Sequence, residues 1–374
     1  MKIGILGGGQ LGRMFLQEAA NYPLQVKILD PDPQAPCAHL CDEFVCGDFN
    51  DEATVFAFGQ DCDAIGIEIE HVNVAALKRL QAQGKRIVPE PAVLEIIQDK
   101  GRQKAFYAEH GIPTAPFYLA ANAADIDTQA LPFVQKTRTG GYDGKGVQII
   151  RNAADAAQLW DVPSVIESLC PIAKEIALIF VADGKGDVRT YPAAEMVFDP
   201  MLNLVDVVQM PAEISPEIAA QVDKICRQLA AAFAGAGVFA VEMFVTQSGE
   251  VWVNETACRV HNSGHPSIEA CPSSQFDQML RLLADYPLGS TQLLSAAAMI
   301  NLIGAEGEQG AAEMRDLPAL LAQEQVYLHW YGKHQVRSGR KMGHITLTAS
   351  DTAALKTKIA ALKQEIHLEI TAKK

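Results

Sequence analysis

Short apolar runs alternate with longer amphipathic stretches over the first hundred residues. "KIGILG" (2–7) is an apolar run with one charged residue, the pattern of a strand buried on both faces. "LGRMFLQEAANY" (11–22) spaces its apolar residues three or four apart and predicts a helix that starts on a glycine turn. "QVKILD" (25–30) and "AIGIEIE" (64–70) predict further strands. "VAALKRLQAQG" (74–84) predicts an amphipathic helix closed by Gly84, ahead of a last apolar run, "RIVPE" (86–90). Strands alternating with helices imply a parallel, doubly wound α/β sheet.

Past the punctuation of Pro113 and Pro116 the pattern changes. "FVQKTRTGGYDGKGVQII" (133–150) is a strand, a glycine-rich turn and a strand, which predicts a hairpin with a mobile tip. "SVIESL" (164–169) and "EIALIFVAD" (175–183) predict strands, and "AAQVDKICRQLAAAFAG" (219–235) a helix. "VFAVEMFVTQSGEVWVNETA" (238–257) is a second hairpin, turning at Gln247-Ser248-Gly249. A helix over 274–286 and a basic segment, "HWYGKHQVRSGRKMGH" (329–344), follow. There is no internal repeat.

At 374 residues the chain predicts two or three domains. Its 49% apolar and 20% charged content is that of a folded globular protein. A net charge of -14 argues against nucleic acid as partner, because phosphate-backbone binding draws on clustered Lys and Arg; a small anionic ligand needs only a few local cations. No apolar run approaches the roughly 20 residues that span a bilayer, so no membrane association is expected. The eight cysteines form no C-x-x-C pair, and the irregular cluster Cys37, Cys41, Cys46 reads as reduced thiols and not as a metal site. A cytoplasmic protein is the expectation.

Five motifs carry chemistry. Gly7, Gly9 and Gly12 have the G-x-G-x-x-G spacing, with Asp30 eighteen residues beyond Gly12, and fit either a dinucleotide site or a plain tight turn into a helix. The flap "TGGYDGKG" (139–146) has four glycines whose backbone N–H groups can fold over phosphates, or it is an exposed turn; Lys136 on the strand entering it can reach a phosphate as a point charge. Glu242 and Glu255 lie on strands joined by a short turn, with Asn254 beside them, and oxygen donors of this kind suit Mg²⁺. Two solvated glutamates is the bland alternative, made less comfortable by Val241, Met243, Phe244 and Trp252 around them. "RVHNSGH" crowds Arg259, His261, Asn262 and His265 into a loop after the second of these strands. Lys333, Arg337, Arg340 and Lys341, with Tyr331, suit a phosphate monoester, or form a solvated basic turn.

Flap, phosphate lysine and Glu…Asn-Glu pair, in this order, resemble the ATP-grasp ligases. Within them the chain resembles the N5-carboxyaminoimidazole ribonucleotide synthetase family, from "GGGQLGRM" through "IEIEHV", "QDKGRQK", "KTRTGGYDGKG" and "VNETACRVHNSGH" to "YGK...R..RKMGH". "RVHNSGH" is the most specific piece. The resemblance implies an ATP-grasp fold of α/β class, α+β in its lid. It places a Rossmann-like domain at 1–110, a lid at 111–185 and a C-terminal domain for ATP, metal and substrate at 186–374. It implies ATP contacts from Lys100, Lys136, the flap residues Gly141, Tyr142, Asp143, Gly144, Lys145, Gly146 and Val147, then Glu167, Ser168, Leu169, Cys170 and Glu175, and Asn254 with Glu255. It assigns Mg²⁺ to Glu242 and Glu255. Glu70, Tyr142, Lys145, Arg259, His261, Asn262, Lys333 and Arg340 are implied to bind the aminoimidazole ribonucleotide, and a homodimer is implied. Lys100 and Lys145 stand where relatives more often carry Arg, keeping the charge and losing the bidentate fork. "NETAC" replaces the usual "NEIAP", and Pro266 stands where Trp is common.

The implied reaction activates bicarbonate with ATP as carboxyphosphate and transfers the carboxyl group to the exocyclic amine. Arg259 steadies the anion, and either His261 or Asp143 takes the amine proton; the sequence does not choose. The glycine turn then opens the N-terminal domain and Asp30 is an ordinary strand-end acid. Two rivals stand beside this reading: another ATP-grasp ligase, such as a formate-dependent glycinamide ribonucleotide transformylase, and an NAD(P)-dependent oxidoreductase resting on the glycine turn.

Overall fold

The computed structural model describes residues 1–141, 145–198 and 205–373. The apolar runs of the first hundred residues become parallel strands in the order Glu43–Cys46, Gln25–Asp30, Lys2–Leu6, Ala64–Ile67, Arg86–Val88. The order reverses beside Lys2–Leu6, so the carboxyl ends of that strand and of Ala64–Ile67 form the switch-point crevice where such sheets bind ligands. The glycine turn follows the first strand and Glu68 and Glu70 follow the other. Helix Gln10–Ala19 buries Leu11, Met14, Phe15, Leu16 and Ala19, the stripe its spacing predicts. Helix Val74–Ala82 is capped by the Asn73 side chain, which accepts from Ala76 N–H, and Gly84 follows it at φ +84°. The strand Glu43–Cys46 carried no signal: it has four residues, lies on the sheet edge and buries none of them fully.

A four-stranded antiparallel sheet comes next, in the order Phe117–Ala120, Ser164–Ser168, Phe133–Thr137, Val147–Ile150. It carries the flap hairpin over a small core of Ala120, Ile126, Phe133, Ile150 and Ile166. The strand Ile172–Asp183 falls inside the segment 111–185 expected to be the lid, yet it pairs along its whole length with Ala236–Thr246. Its run Ile176–Ala182 is buried residue after residue, as a central strand must be.

That strand belongs to a nine-stranded antiparallel sheet. Its path runs from Val251–Ala257 through Ala236–Thr246, Ile172–Asp183, Ala194–Phe198, Val205–Met210, Ala296–Ile303 and Lys341–Ala349 to Val326–Trp330, with Val188–Thr190 attached to Ile172–Asp183. Helix Pro216–Phe233 starts on a Ser215 cap and buries Val222, Ile225, Cys226, Leu229 and Phe233. It ends on Ala234 in the left-handed region at φ 48°, one residue before the expected Gly235. The basic segment 329–344 is divided among three elements: the end of Val326–Trp330, the short strand Gln335–Arg337 and the start of Lys341–Ala349. Its cations are thereby sent in different directions.

Candidate active site

The two carboxylates of the second hairpin face each other, Glu242 opposite Glu255 in register. Pairing then slips, Met243 lying opposite Val253, so Asn254 is the extra residue of a β-bulge. Asn254 Oδ1 accepts from Lys136 Nζ at 2.7 Å, and Lys136 also pairs with Glu167 at 2.9 Å. Glu167 pairs in turn with Lys104 at 3.0 Å, and Lys104 donates to Thr114 Oγ1 at 2.5 Å. Lys100 pairs with Glu255 directly. Asp99 aims Lys100: its carboxylate caps that helix by accepting from Gly101 and Arg102 N–H, and it pairs with Arg138 at 2.5 Å. Strands from two sheets and one helix N-terminus thus meet in a ladder of alternating charge.

Electrostatics separates the two glutamates. Burial and the neighbouring Glu255 charge push the Glu242 carboxyl up to about 7. Burial also opposes charge on Glu255, but Lys100 outweighs it and holds that carboxyl down at about 2. Glu255 opens on the cavity with 39% of its side chain exposed, enough for a ligand to reach it. Burial pushes Lys104 down to about 8 against the pull of Glu167, while Lys136 and Lys104 keep Glu167 ionised in spite of its burial. Glu175 is pushed up by burial. A divalent cation fits the facing pair, since it would remove the like-charge cost that drives Glu242 toward protonation. Among the described residues no third Asp, Glu, His or Cys joins the pair to form a cage. Mg²⁺ suits such an open donor set, because it draws its other oxygens from phosphates and water.

A cavity of about 450 Å³ opens over this ladder. Of the residues expected at the site, it gathers Glu70, Lys100, Gly141, Glu242, Glu255, Arg259, His261 and Asn262. Lys136, Glu167 and Asn254 stand in the layer behind through the contacts above. Glu167 and Ser168 also line a second cavity of about 200 Å³ with Phe117, Phe133 and Ile166. Leu169 and Cys170 follow on the loop that leads to Ile172–Asp183, and Glu175 lies on that strand opposite Phe244. At the base of the flap a Cβ on Gly146 would meet Thr137 Oγ1 at 2.6 Å and one on Gly141 would meet Lys145 O at 2.7 Å, so the hairpin closes only without side chains there. Val147 opens the returning strand. Tyr142, Asp143 and Gly144 lie outside the described residues.

The basic segment sends only Lys341 to the cavity wall, although the sequence had pointed to Lys333 and Arg340. Lys333 Nζ donates to Lys341 O at 2.7 Å, and Arg340 Nη1 donates to Gln335 O at 2.7 Å. The loop after the hairpin is held from both sides. Arg259 lies 3.5 Å from Glu70, and His261 Nε2 lies 3.5 Å from Glu242. The buried amide of Gln275 brackets His261, accepting from its N–H at 2.8 Å and donating to its carbonyl at 2.7 Å. Gln275, fourteen residues away, stood in the sequence only inside the expected helix 274–286, with no role assigned to it.

The glycine turn is occupied by the protein itself. Glu68 Oε2 accepts from Gly9 N–H at 2.5 Å, and Asp30 Oδ2 accepts from Gly8 N–H at 2.7 Å. A Cβ on Gly9 would collide with Glu68, and one on Gly12 would sit 2.9 Å from it. Asp30 is therefore more than an ordinary strand-end acid, since its carboxylate ties down the turn. A pyrophosphate would have to displace two carboxylates, which speaks against the dinucleotide reading.

A glycine-rich hairpin on an antiparallel sheet, lining one cavity with a pair of carboxylates on a second hairpin and following a Rossmann-like domain, defines an ATP-grasp protein. The ATP-grasp domain family matches residues 105–276, the ribonucleotide synthetase preATP-grasp domain residues 1–98 and the phosphoribosylaminoimidazole carboxylase C-terminal domain residues 297–358. The chain is 36% identical to the N5-carboxyaminoimidazole ribonucleotide synthase of Synechococcus elongatus, over 94% of this chain and 90% of that one. It is 35% identical to the synthase of Pseudomonas aeruginosa, over 98% and 100%. The crystal structure of the synthetase from Thermotoga maritima superposes with a TM-score of 0.91 at 38% identity, covering 100% and 99% of the two chains. The Aspergillus clavatus enzyme, in complex with ADP and 5-aminoimidazole ribonucleotide, gives 0.87 at 32% identity, covering 97% of each. The chain belongs to the N5-carboxyaminoimidazole ribonucleotide synthase family.

Proposed function

We propose that this protein is an ATP-dependent carbon–nitrogen ligase that carboxylates 5-aminoimidazole ribonucleotide with bicarbonate, a step of purine biosynthesis. The observation that carries the reading is the Glu242–Glu255 pair sharing one cavity with Lys100 and the Arg259-His261-Asn262 loop, in a chain of this family.

Bicarbonate is a poor electrophile because hydroxide leaves badly. One of its oxygens attacks the γ-phosphorus, the bond to the bridging oxygen breaks, and ADP departs, leaving carboxyphosphate. The exocyclic amine then attacks the carboxyl carbon, phosphate leaves, and the nitrogen gives up a proton. Mg²⁺ held by Glu242 and Glu255 would supply charge neutralisation at the phosphates. Lys100 and Lys136 bring point charges to the same phosphates, and the flap from Gly141 to Val147 excludes water from the intermediate. Arg259 steadies the anion. His261, held by its backbone against Gln275 and close to Glu242, is supported as the proton acceptor; Asp143 on the flap is the alternative. Glu70, Tyr142, Lys145, Asn262, Lys333 and Arg340 complete the ribonucleotide side, and Lys341 joins them as a cation of the cavity wall. Glu167, Ser168, Leu169, Cys170, Glu175 and Asn254 complete the ATP side. The reading keeps three units, 1–110, 111–185 and 186–374, with Ile172–Asp183 running from the second into the sheet of the third. A cytoplasmic homodimer belongs to it, and gives about twice the chain mass in equilibrium sedimentation.

The test is ADP release with Mg²⁺, ATP, ribonucleotide and bicarbonate, each left out in turn, in degassed buffer. Turnover that needs all four is expected. Turnover that ignores bicarbonate and responds to formate with glycinamide ribonucleotide overturns the assignment.

A further inference from the structure

His265 has no part in the reaction as derived so far, yet it lines the cavity while being 99% buried, with 1% of its surface exposed. Its ring is fixed on every side. It stacks on His344 at 4.7 Å between centroids and on Phe276 at 5.8 Å, and His344 stacks in turn on His329 at 4.4 Å. Gln275 decides its protonation. The Gln275 amide cannot be turned over, because His261 N–H needs its oxygen and the His261 carbonyl needs its nitrogen. The same nitrogen lies 3.0 Å from His265 Nδ1. With one N–H on the His261 carbonyl, the other points at Nδ1, which must accept. His265 is therefore the Nε2–H tautomer, and this N–H is the donor that a residue of the cavity lining has left to give. Burial, together with the like-signed neighbours His329, His261, Lys341 and Arg259, holds its basicity well below the usual histidine range, so the ring stays neutral.

Resting on the reading above, we propose that His265 is a further substrate-binding residue: a neutral imidazole whose Nε2–H donates to an anionic oxygen of the bicarbonate-derived substrate, at the cavity corner that Arg259 and Lys341 make electropositive. A second cation at this corner would add repulsion against Arg259 and Lys341. A locked neutral donor adds a directed hydrogen bond without it. The chemistry is that of a carboxylate or phosphate oxygen; sharing the cavity wall with His261 and Glu242 assigns it to the bicarbonate-derived anion and not to the ribonucleotide phosphate.

The full-length enzyme tests this with two substitutions and one spectrum. His265→Phe keeps a flat ring for the stack and removes the donor; His265→Gln returns an N–H near the Nε2 position. For His265→Phe the KM for bicarbonate is expected to rise about 10- to 100-fold, the weight of a hydrogen bond to a charged oxygen, with the KM values for ATP and ribonucleotide within about twofold. His265→Gln is expected to recover most of that loss. A rise confined to the ribonucleotide KM overturns the assignment to bicarbonate, and an equal rise for all three substrates, or no change, overturns the role. Long-range ¹H–¹⁵N NMR of the wild-type protein, with His265 assigned by its loss in the variants, is expected to show one Nε2–H tautomer unchanged from pH 6 to 8. A ring that titrates in that range, or shows Nδ1–H, overturns the proposal independently of activity. Absence of bicarbonate-dependent turnover in the wild type overturns the proposed reaction instead.

Discussion

Glu68 and Glu242 are both half-buried glutamates whose carboxyls are pushed up to about 7, and the protein treats them in opposite ways. Glu68 faces backbone. The N–H groups of Gly9 and Gly12 point at it, so the desolvation that raises it is partly answered by donors that cannot leave. Glu242 faces another carboxylate across a hairpin, and its relief comes from Lys100, a side chain already paired to Glu255. The first arrangement is complete within the fold. The second leaves a like-charge cost that the proposed Mg²⁺ would remove. A glycine turn that looks like a ligand site serves the fold, while an ordinary-looking strand hairpin sets two carboxylates against each other at a cavity.

The sharpest way to break this contrast is Glu255→Gln. We expect kcat for ADP release to fall about 100- to 1,000-fold, as when a group acting on transition-state charge is lost, with thermal unfolding still cooperative. Near-normal turnover would sink the metal assignment. Gly9→Ala attacks the other glutamate. Its Cβ has no room beside Glu68, and a loss of about 3 kcal/mol is expected in denaturant titration, with the KM for ATP unchanged in the folded fraction. A loss of nucleotide affinity without loss of stability would make the turn a ligand site after all.

The pH dependence follows from the same carboxyl. Because the folded-state pKa of Glu68 lies above its unfolded value, the folded protein binds more protons between the two, and stability falls as pH rises through that window. Glu68→Gln removes this slope. From pH 5 to 7.5 the wild type is expected to lose about 2 kcal/mol relative to the variant, in parallel urea titrations. A gain with rising pH would mean that the N–H groups outweigh burial. The smallest effect is expected at Lys333→Ala: a roughly tenfold higher KM for ribonucleotide with that for ATP unchanged, as for one phosphate cation. Equal losses for both substrates would mean that Lys333 acts by holding the Lys341 backbone instead.

Much of this was legible along the chain. The alternation over 238–257 predicts a hairpin, but strand period two alone would set Asn254 opposite Glu242, and only the slip in register brings Glu255 there. The first sheet and its helices follow from apolar runs and caps. The bulge at Asn254 was not legible, because a one-residue slip leaves no mark on composition. Nor was the edge strand Glu43–Cys46, half-exposed and too short to show a period. The directions of the cations in the basic segment were not legible for a related reason: adjacency in sequence does not tell which cation a strand turns inward, and Lys341 lines the cavity while Arg340 bonds to Gln335.

The sequence by itself determined four of the five strands of the first sheet, the glycine-rich turn, the second hairpin and the crowding of Arg259, His261 and Asn262, because these depend on neighbours a few residues apart. The tertiary structure decided which charges meet. Glu68 reaches Gly9 across 59 residues and Lys100 reaches Glu255 across 155. Burial, like-charge repulsion and the orientation of an amide such as Gln275 are properties of the assembled interior. They arise only once distant segments have excluded water from the same small volume.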